Sequence, residues 1–282
     1  MKNLVVMLQL LRQYSLFAIA IFFSVFAMGH GAIHEKIEET TEKINKHPLD
    51  PNLYVERAGY YKADDDFDKS YADYQHALYI DNSLKTIDFL IAELMYHFDY
   101  YYSALEAVTS FEKQKINTAQ CYLLKAKIFD KLFEADSALF YAEAAYPHHT
   151  KPNTQYFVQV KEYVLFADKT DYENAKKWLV EGKKRLPYDL VIQEEYVNLA
   201  LKFDDFSTAE SLCLEQIPKL KRKEYWQFLL AGVYAKKGDK AQSQEYYNRS
   251  LASINKLKNH HRNTTYIINL KKKIQLQLTA QQ

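Results

Sequence analysis

The stretch of sequence that decides the fold runs from Tyr54 to Ile80 and reads YVERAGYYKADDDFDKSYADYQHALYI. Its hydrophobic spacing predicts two short helices, and the polar DDDFD between them predicts the turn. Each helix carries aromatic and small residues on one stripe: Tyr54, Ala58 and Tyr61 on the first, and Ser70, Tyr74 and Ala77 on the second. Neither helix can bury its stripe alone, so further copies of the pair are expected.

The small residue that opens the second helix of the pair recurs along the chain. Its copies are Ser70, Ala104, Ala138, Ala175, Ala209 and Ser243. By subtraction, these positions are 34, 34, 37, 34 and 34 residues apart, a constant period with one insertion of three residues. A constant period of this size is typical of a repeat architecture, in which each unit buries its apolar face against its neighbours.

The order of residues within each copy resembles the tetratricopeptide repeat, a helix-turn-helix unit of about 34 residues. The resemblance covers roughly residues 51–251. It implies an all-α, right-handed superhelical solenoid of about six hairpins, with a leading helix and a C-terminal capping helix. The insertion leaves the register of the first helix of repeat four, around Tyr156 to Phe166, open.

Four segments are expected along the chain. Residues 1–29 form a signal peptide or an uncleaved anchor, residues 30–50 a leading helix, residues 51–257 the repeat array and residues 258–282 the capping helix. The leading helix places Ile37, Thr41 and Ile44 on one face. The capping helix places Ile267, Leu270, Ile274 and Leu278 at helical spacing, and because its polar face is basic, a membrane-surface helix is the alternative.

The N-terminal segment has the layout of a secretory signal peptide. Lys2 and Arg12 precede the uncharged apolar run LFAIAIFFSVFAM, which ends at Met28. We therefore expect an exported protein, periplasmic or secreted. The alternative is a membrane anchor through residues 4–33, which would be the protein's only membrane contact.

Charge and motifs argue against several function classes. The chain carries a surplus of acidic residues from His30 to Pro218, which disfavours nucleic acid, and a basic end from Lys219 onward. No Gly-rich phosphate loop, GxSxG or HExxH occurs, and the repeats leave no room for a catalytic domain. We expect no catalytic residue, cofactor or metal ion.

Other conspicuous residues have structural interpretations. The acidic clusters Asp64 to Asp66 and Asp204-Asp205 are interpreted as helix-capping turns. The pairs His148-His149 and His260-His261 are assigned to turns in which neighbouring side chains point apart. Cys121 and Cys213, the only cysteines, are expected to be buried thiols without a disulfide.

The resemblance implies a groove, lined by the first helices of the repeats, that holds a segment of a partner protein. Counting along those helices selects Val55, Phe89, Tyr96, Leu123 and Phe228 as candidate partner-binding residues. The predicted function is that of a non-catalytic adaptor or scaffold whose partner is another protein or peptide. The alternative is a groove-type binding protein for a peptide, a lipid or another small molecule.

Overall fold

The computed structural model describes residues 31–281, and every regular element in that range is helical. The range divides into two compact units that meet in sequence at His148 and His149. The helices of the first unit are α1 (residues 31–46), α2 (Pro51–Ala63), α3 (Phe67–Ile80), α4 (Thr86–His97), α5 (Tyr101–Glu112), α6 (Thr118–Lys131) and α7 (Ala135–Ala145), followed by a 3₁₀ turn (Tyr146–His148).

The helices of the second unit are α8 (Thr154–Ala167), α9 (Tyr172–Arg185), α10 (Leu190–Lys202), α11 (Phe206–Gln216), α12 (Glu224–Lys237), α13 (Lys240–Asn255), α14 (Asn259–Arg262) and α15 (Thr265–Ala280). Within residues 31–281, no helix is long and apolar enough to span a bilayer. The predicted signal peptide or anchor falls almost wholly on residues outside this range.

Consecutive helices pair into six hairpins, which confirms the predicted all-α repeat architecture. The pairs are α2 with α3, α4 with α5, α6 with α7, α8 with α9, α10 with α11 and α12 with α13. Each of the six small residues that set the period is 0% exposed: Ser70, Ala104, Ala138, Ala175, Ala209 and Ser243. A small side chain at this position lets the two helices of a hairpin approach closely.

Five of the six hairpin turns share one backbone geometry. The residues with left-handed backbone in these turns are Asp65, Asp99, Phe133, Asp204 and Gly238. In each turn the following amide donates a hydrogen bond to the carbonyl five residues earlier, as from Asp66 N to Tyr61 O at 2.8 Å. This is the hydrogen bond that closes a Schellman-type helix end, and Gly or a short polar residue adopts the left-handed conformation most readily.

Aspartates begin the second helix of four hairpins. Each accepts a hydrogen bond from the backbone amide three residues ahead: Asp66 from Lys69 at 3.1 Å, Asp171 from Asn174 at 3.1 Å, Asp205 from Thr208 at 3.0 Å and Asp239 from Gln242 at 3.0 Å. These bonds satisfy amides that have no partner inside the helix. The interpretation of the acidic clusters as capping turns is confirmed.

The leading helix α1 is fixed to the first hairpin by both apolar and polar contacts. Ile44 lies in the same buried cluster as Tyr54 and Tyr74. The guanidinium of Arg57 on α2 donates to both carboxylate oxygens of Asp73 on α3, at 2.7 and 2.8 Å, and to the hydroxyl of Thr41 on α1 at 3.0 Å. Since Arg57 joins three helices, it sets the position of α1 over the open end of the hairpin.

Repeat four departs from the common pattern, as its insertion predicts. Its first helix is α8, which begins after Asn153, whose side chain accepts a hydrogen bond from the Tyr156 amide at 3.0 Å. Tyr163 is buried where repeats one, two, three and six carry alanine and repeat five carries Val197. Close approach depends instead on Gly182 of α9, because a Cβ atom there would lie 2.9 Å from the ring of Phe157.

The last long helix, α15, covers the end of the sixth hairpin. Ile267, Leu270 and Ile274 are buried in one cluster with Tyr247 and Ile254 of α13. The predicted apolar stripe therefore packs against the repeats, as a capping helix requires. This stripe is not available to a membrane surface.

Both cysteines are free and buried, one in each unit. Burial raises the pKa of the Cys121 thiol to about 11 and that of Cys213 to about 12. The thiols are therefore protonated at neutral pH and poor nucleophiles. Their expected role as small buried residues is confirmed.

Candidate functional site

The structure places the five predicted partner-binding residues in different environments. Phe89 is only 8% exposed and its ring centre lies 5.6 Å from that of Phe111, so Phe89 belongs to the core. Tyr96 is partly buried against the same cluster, and Val55 packs on the cluster formed by the first hairpin. Leu123 is partly exposed on α6. A residue that contacts a partner in the groove needs an accessible side chain, and the buried ring of Phe89 does not meet this requirement.

Phe228 is the predicted residue that lies in a cleft. The cleft has a volume of about 450 Å³, and we call it the α12/α15 cleft after the two helices that form it. Its lining residues are Tyr225, Phe228, Tyr266, Asn269, Leu270, Lys272, Lys273 and Leu276. The other four predicted residues belong to the first unit and take no part in it.

Local sequence explains how α12 presents its two rings to the cleft. Trp226, Gln227 and Leu230 are buried, which directs that face of α12 toward the repeats. Tyr225 and Phe228 are three residues apart and partly exposed, so they lie on one adjacent face. Their ring centres are 6.3 Å apart.

The opposite wall comes from the outward side of α15. Burial of Ile267, Leu270 and Ile274 fixes the rotation of this helix. Tyr266 and Leu276 are then left 54% and 70% exposed beside the cleft. Large apolar side chains with this exposure are common singly, but here they border an aromatic floor.

The tyrosine at the centre of the cleft is held in place by a carboxylate. The hydroxyl of Tyr225 donates a hydrogen bond to Glu194 on α10. Burial and the neighbouring carboxylate raise the pKa of Tyr225, so the phenol stays neutral. This hydrogen bond orients the ring toward Tyr266, whose ring centre lies 6.2 Å away.

Two lysines form the polar rim of the α12/α15 cleft. Lys272 and Lys273 are exposed, and no ion pair or hydrogen bond from either side chain is found within residues 31–281. By contrast, Lys161 and Lys183 in the same unit are paired with Glu195 and Glu215 at 2.7 and 2.5 Å. The rim therefore offers two cations that remain available to a ligand.

A second cleft, of about 470 Å³, lies on the other side of α15 and includes Ile268, Lys271 and Arg262. Here the guanidinium of Arg262 already donates to the Asn255 carbonyl, at 3.2 Å, and to the Asn259 side chain. None of its lining residues is aromatic. It offers fewer anchoring groups than the α12/α15 cleft.

The nearby His260-His261 pair corrects one sequence expectation. The two side chains were expected to point away from each other. They lie in α14 instead, with their ring centres 4.1 Å apart. The described range contains no group of three or more His, Cys, Asp and Glu residues that could hold a metal ion.

Comparison with known proteins supports the fold. No protein-family model and no curated protein matches the sequence. Among solved structures, the C-terminal part of a TPR repeat-containing protein from Cytophaga hutchinsonii matches with a TM-score of 0.57 and 14% identity, over 88% of this chain and 98% of that one. The fold is that of tetratricopeptide repeat proteins.

A second solved structure gives a similar match. PilF of Pseudomonas aeruginosa matches with a TM-score of 0.52 and 12% identity, over 81% of this chain and 95% of that one. At these identities the likeness is one of fold alone. What this chain does must be argued from its own surfaces.

Proposed function

We propose that this protein is a non-catalytic adaptor or scaffold that binds a segment of a partner protein in the α12/α15 cleft. The observation that carries the proposal is the combination of exposed Tyr266 and Leu276 with an oriented aromatic floor, Tyr225 and Phe228, in one concave site. Aromatic residues in a partly desolvated pocket are the usual hot spots of protein interfaces.

The remaining chemistry of the described range supports a binding role. Among the strongly shifted titratable groups, Tyr172, Tyr225 and Tyr234 donate to carboxylates of the adjacent hairpin, as Tyr172 does to Asp205 at 2.6 Å. Such hydrogen bonds join neighbouring hairpins and stabilise the fold. The pKa values of Tyr74 and of the two thiols are raised by burial. A catalytic pair would instead need an acid and a base facing a substrate cleft.

We further propose that the protein is exported, into the periplasm or out of the cell. This rests on the basic start and apolar run that end at Met28, which lie outside the described range. Cleavage of the segment would release the repeat array. Retention would anchor it to a membrane, and determination of the mature N-terminus by mass spectrometry distinguishes the two.

The cleft volume also supports a second candidate function, binding of a small molecule. About 450 Å³ lies within the range of 300 to 1,000 Å³ that small-ligand sites occupy. A lipid or peptide-sized ligand with an apolar part would contact the same rings. The two functions differ in what should copurify with the protein.

The proposal is tested by affinity capture of the tagged protein from its native cells after chemical crosslinking. We expect a stoichiometric polypeptide that is lost with the double variant Tyr266→Ala, Leu276→Ala. The control Tyr188→Ala removes a ring that is 94% exposed outside the cleft, and it should retain the partner. A small molecule released on denaturation, without a polypeptide, would favour the second function. Equal recovery of the polypeptide by both variants would exclude the cleft.

A further inference from the structure

The α12/α15 cleft combines apolar and cationic groups in a way that specifies its ligand further. We infer that the partner segment is acidic and carries an aromatic or aliphatic side chain between its carboxylates. This inference rests on the proposed function, because it concerns the chemistry of the segment that the same cleft binds.

The first argument is the unmatched positive charge of this end of the chain. After Glu245, which pairs with Arg249, the sequence has no Asp or Glu, and its further basic residues are Lys256, Lys258, Arg262, Lys271, Lys272 and Lys273. Such a stretch attracts carboxylates and increases the rate at which an acidic segment arrives.

The second argument is that the carboxylates nearest the cleft are already engaged. Glu194 accepts the hydrogen bond from Tyr225. Glu224, at the start of α12, is only 3% exposed and pairs with Arg222 at 2.7 Å. Within residues 31–281 neither carboxylate forms an ion pair with Lys272 or Lys273, so a ligand's own carboxylates are the complementary groups for this rim.

The third argument concerns the position of the apolar groups. Phe228 and Tyr225 form the floor of the cleft, and Tyr266 and Leu276 extend to the surface beside the lysines. An apolar side chain of the ligand would enter between the rings while flanking carboxylates reach the rim. A wholly acidic segment would have no apolar side chain to place between the rings. A wholly apolar segment would have no carboxylate to pair with the lysines.

An anionic membrane surface is the other ligand with this charge, and the geometry disfavours it. A surface-lying helix inserts its apolar stripe among the lipids, whereas Ile267, Leu270 and Ile274 of α15 are packed against the repeats. The exposed apolar groups instead line a concave site, into which a narrow polypeptide segment fits. Lipid binding is therefore treated as an outcome of the test.

The test uses the full chain and three fluorescein-labelled peptides, EEEFLEEE, QQQFLQQQ and EEEGSEEE, with binding followed by fluorescence anisotropy. We expect measurable binding of the first only. Lys272→Glu with Lys273→Glu should weaken it at least about tenfold, because two attractions become repulsions. The control Lys169→Glu with Lys240→Glu makes the same change in net charge at exposed positions outside the cleft and outside the basic stretch, and it should bind nearly as the native chain does.

Three results would overturn the inference. The first is failure of EEEFLEEE to bind, and the second is equal weakening by the cleft and control variants. The third is loss of binding to phosphatidylserine vesicles in the cleft variant while no peptide binds, which would assign the lysines to lipid. If the peptides fail but affinity capture still loses its polypeptide with Tyr266→Ala, Leu276→Ala, only the acidic specificity is wrong. If capture also recovers no polypeptide, the proposed function fails as well.

Discussion

The ring of Tyr266 on the capping helix lies 6.2 Å, centre to centre, from the ring of Tyr225 on the first helix of the last hairpin. The capping helix thus contributes a wall to a cleft as well as covering the end of the repeats. Its buried stripe packs against the repeats, whereas its exposed apolar residues border the cleft. Substitutions in the two sets should therefore differ in their effect on stability.

Two substitutions on α15 should differ sharply in their effect on stability. Ile274 is fully buried, so Ile274→Ala should lower the free energy of unfolding by about 2 to 5 kcal/mol. Leu276 is 70% exposed, so Leu276→Ala should change it by no more than about 0.5 kcal/mol. Urea unfolding followed by circular dichroism measures both. Similar losses for the two variants would mean that α15 is rotated from the position described.

Gly182 and Gly59 should respond in opposite directions to alanine. A Cβ atom at Gly182 would lie 2.9 Å from Phe157 and 3.1 Å from Ile192, so Gly182→Ala should destabilise the protein by about 1 to 3 kcal/mol. Gly59 is also inside a helix, but a Cβ atom there has no neighbour within 4 Å. Gly59→Ala should therefore stabilise by up to about 1 kcal/mol through helix propensity. Thermal unfolding of both variants tests the close approach of α8 and α9.

Phe133 occupies a left-handed position, at φ 61°, where the equivalent turns carry Asp or Gly. A bulky side chain is unfavourable there, and the ring is 84% exposed, so it makes few contacts in return. Phe133→Asn should increase the free energy of unfolding by about 1 kcal/mol, measured by denaturant titration. Phe140→Asn is the control, because that exposed ring lies inside α7, where asparagine brings no such gain. Equal effects would count against the turn geometry.

Asp205 should make stability depend on pH. Burial alone would raise its pKa, but hydrogen bonds donated by Tyr172, Thr208 and Ser207 outweigh burial and hold the pKa well below its ordinary value of 3.8. The ionised group therefore stabilises the fold fully above that value, and its contribution is lost as the pH falls below it. The difference in melting temperature between the native chain and Asp205→Asn should shrink from pH 6 to pH 3. Tyr172→Phe should reduce the same pH-dependent difference, and a difference that is constant with pH would contradict the assignment.

The hairpins could be predicted from sequence because their packing requires particular residue types at regularly spaced positions. Close helix packing requires a small residue at a fixed position, and Ser70 and its five copies supply it. Turns that end in a helix cap favour Asp, as at Asp66 and Asp205. Repeat four showed the limit of this method, because Tyr163 replaces the small residue and Gly182 on the partner helix compensates.

The cleft was harder to predict from the sequence than the hairpins were. Counting along a helix cannot tell a ring that packs between hairpins, such as Phe89, from one that faces a cleft, such as Phe228. Tyr225 and Tyr266 meet only because α15 folds back on the last hairpin and packs against α13, and α15 lies outside the repeat period. The residues that α15 contributes to the cleft lie off its apolar stripe: Tyr266, Leu276 and the two rim lysines. From sequence alone, such positions are assigned to solvent as readily as to a binding site.

The most direct test of the central claim is photo-crosslinking in the native cells, with benzoylphenylalanine in place of Leu276 or, in a second strain, Tyr188. Both side chains are strongly exposed, at 70% and 94%, but only Leu276 borders the α12/α15 cleft. We expect one polypeptide to be crosslinked from position 276 and not from position 188. Crosslinking of a polypeptide from position 188 with none from position 276 would contradict the claim that this cleft holds the partner.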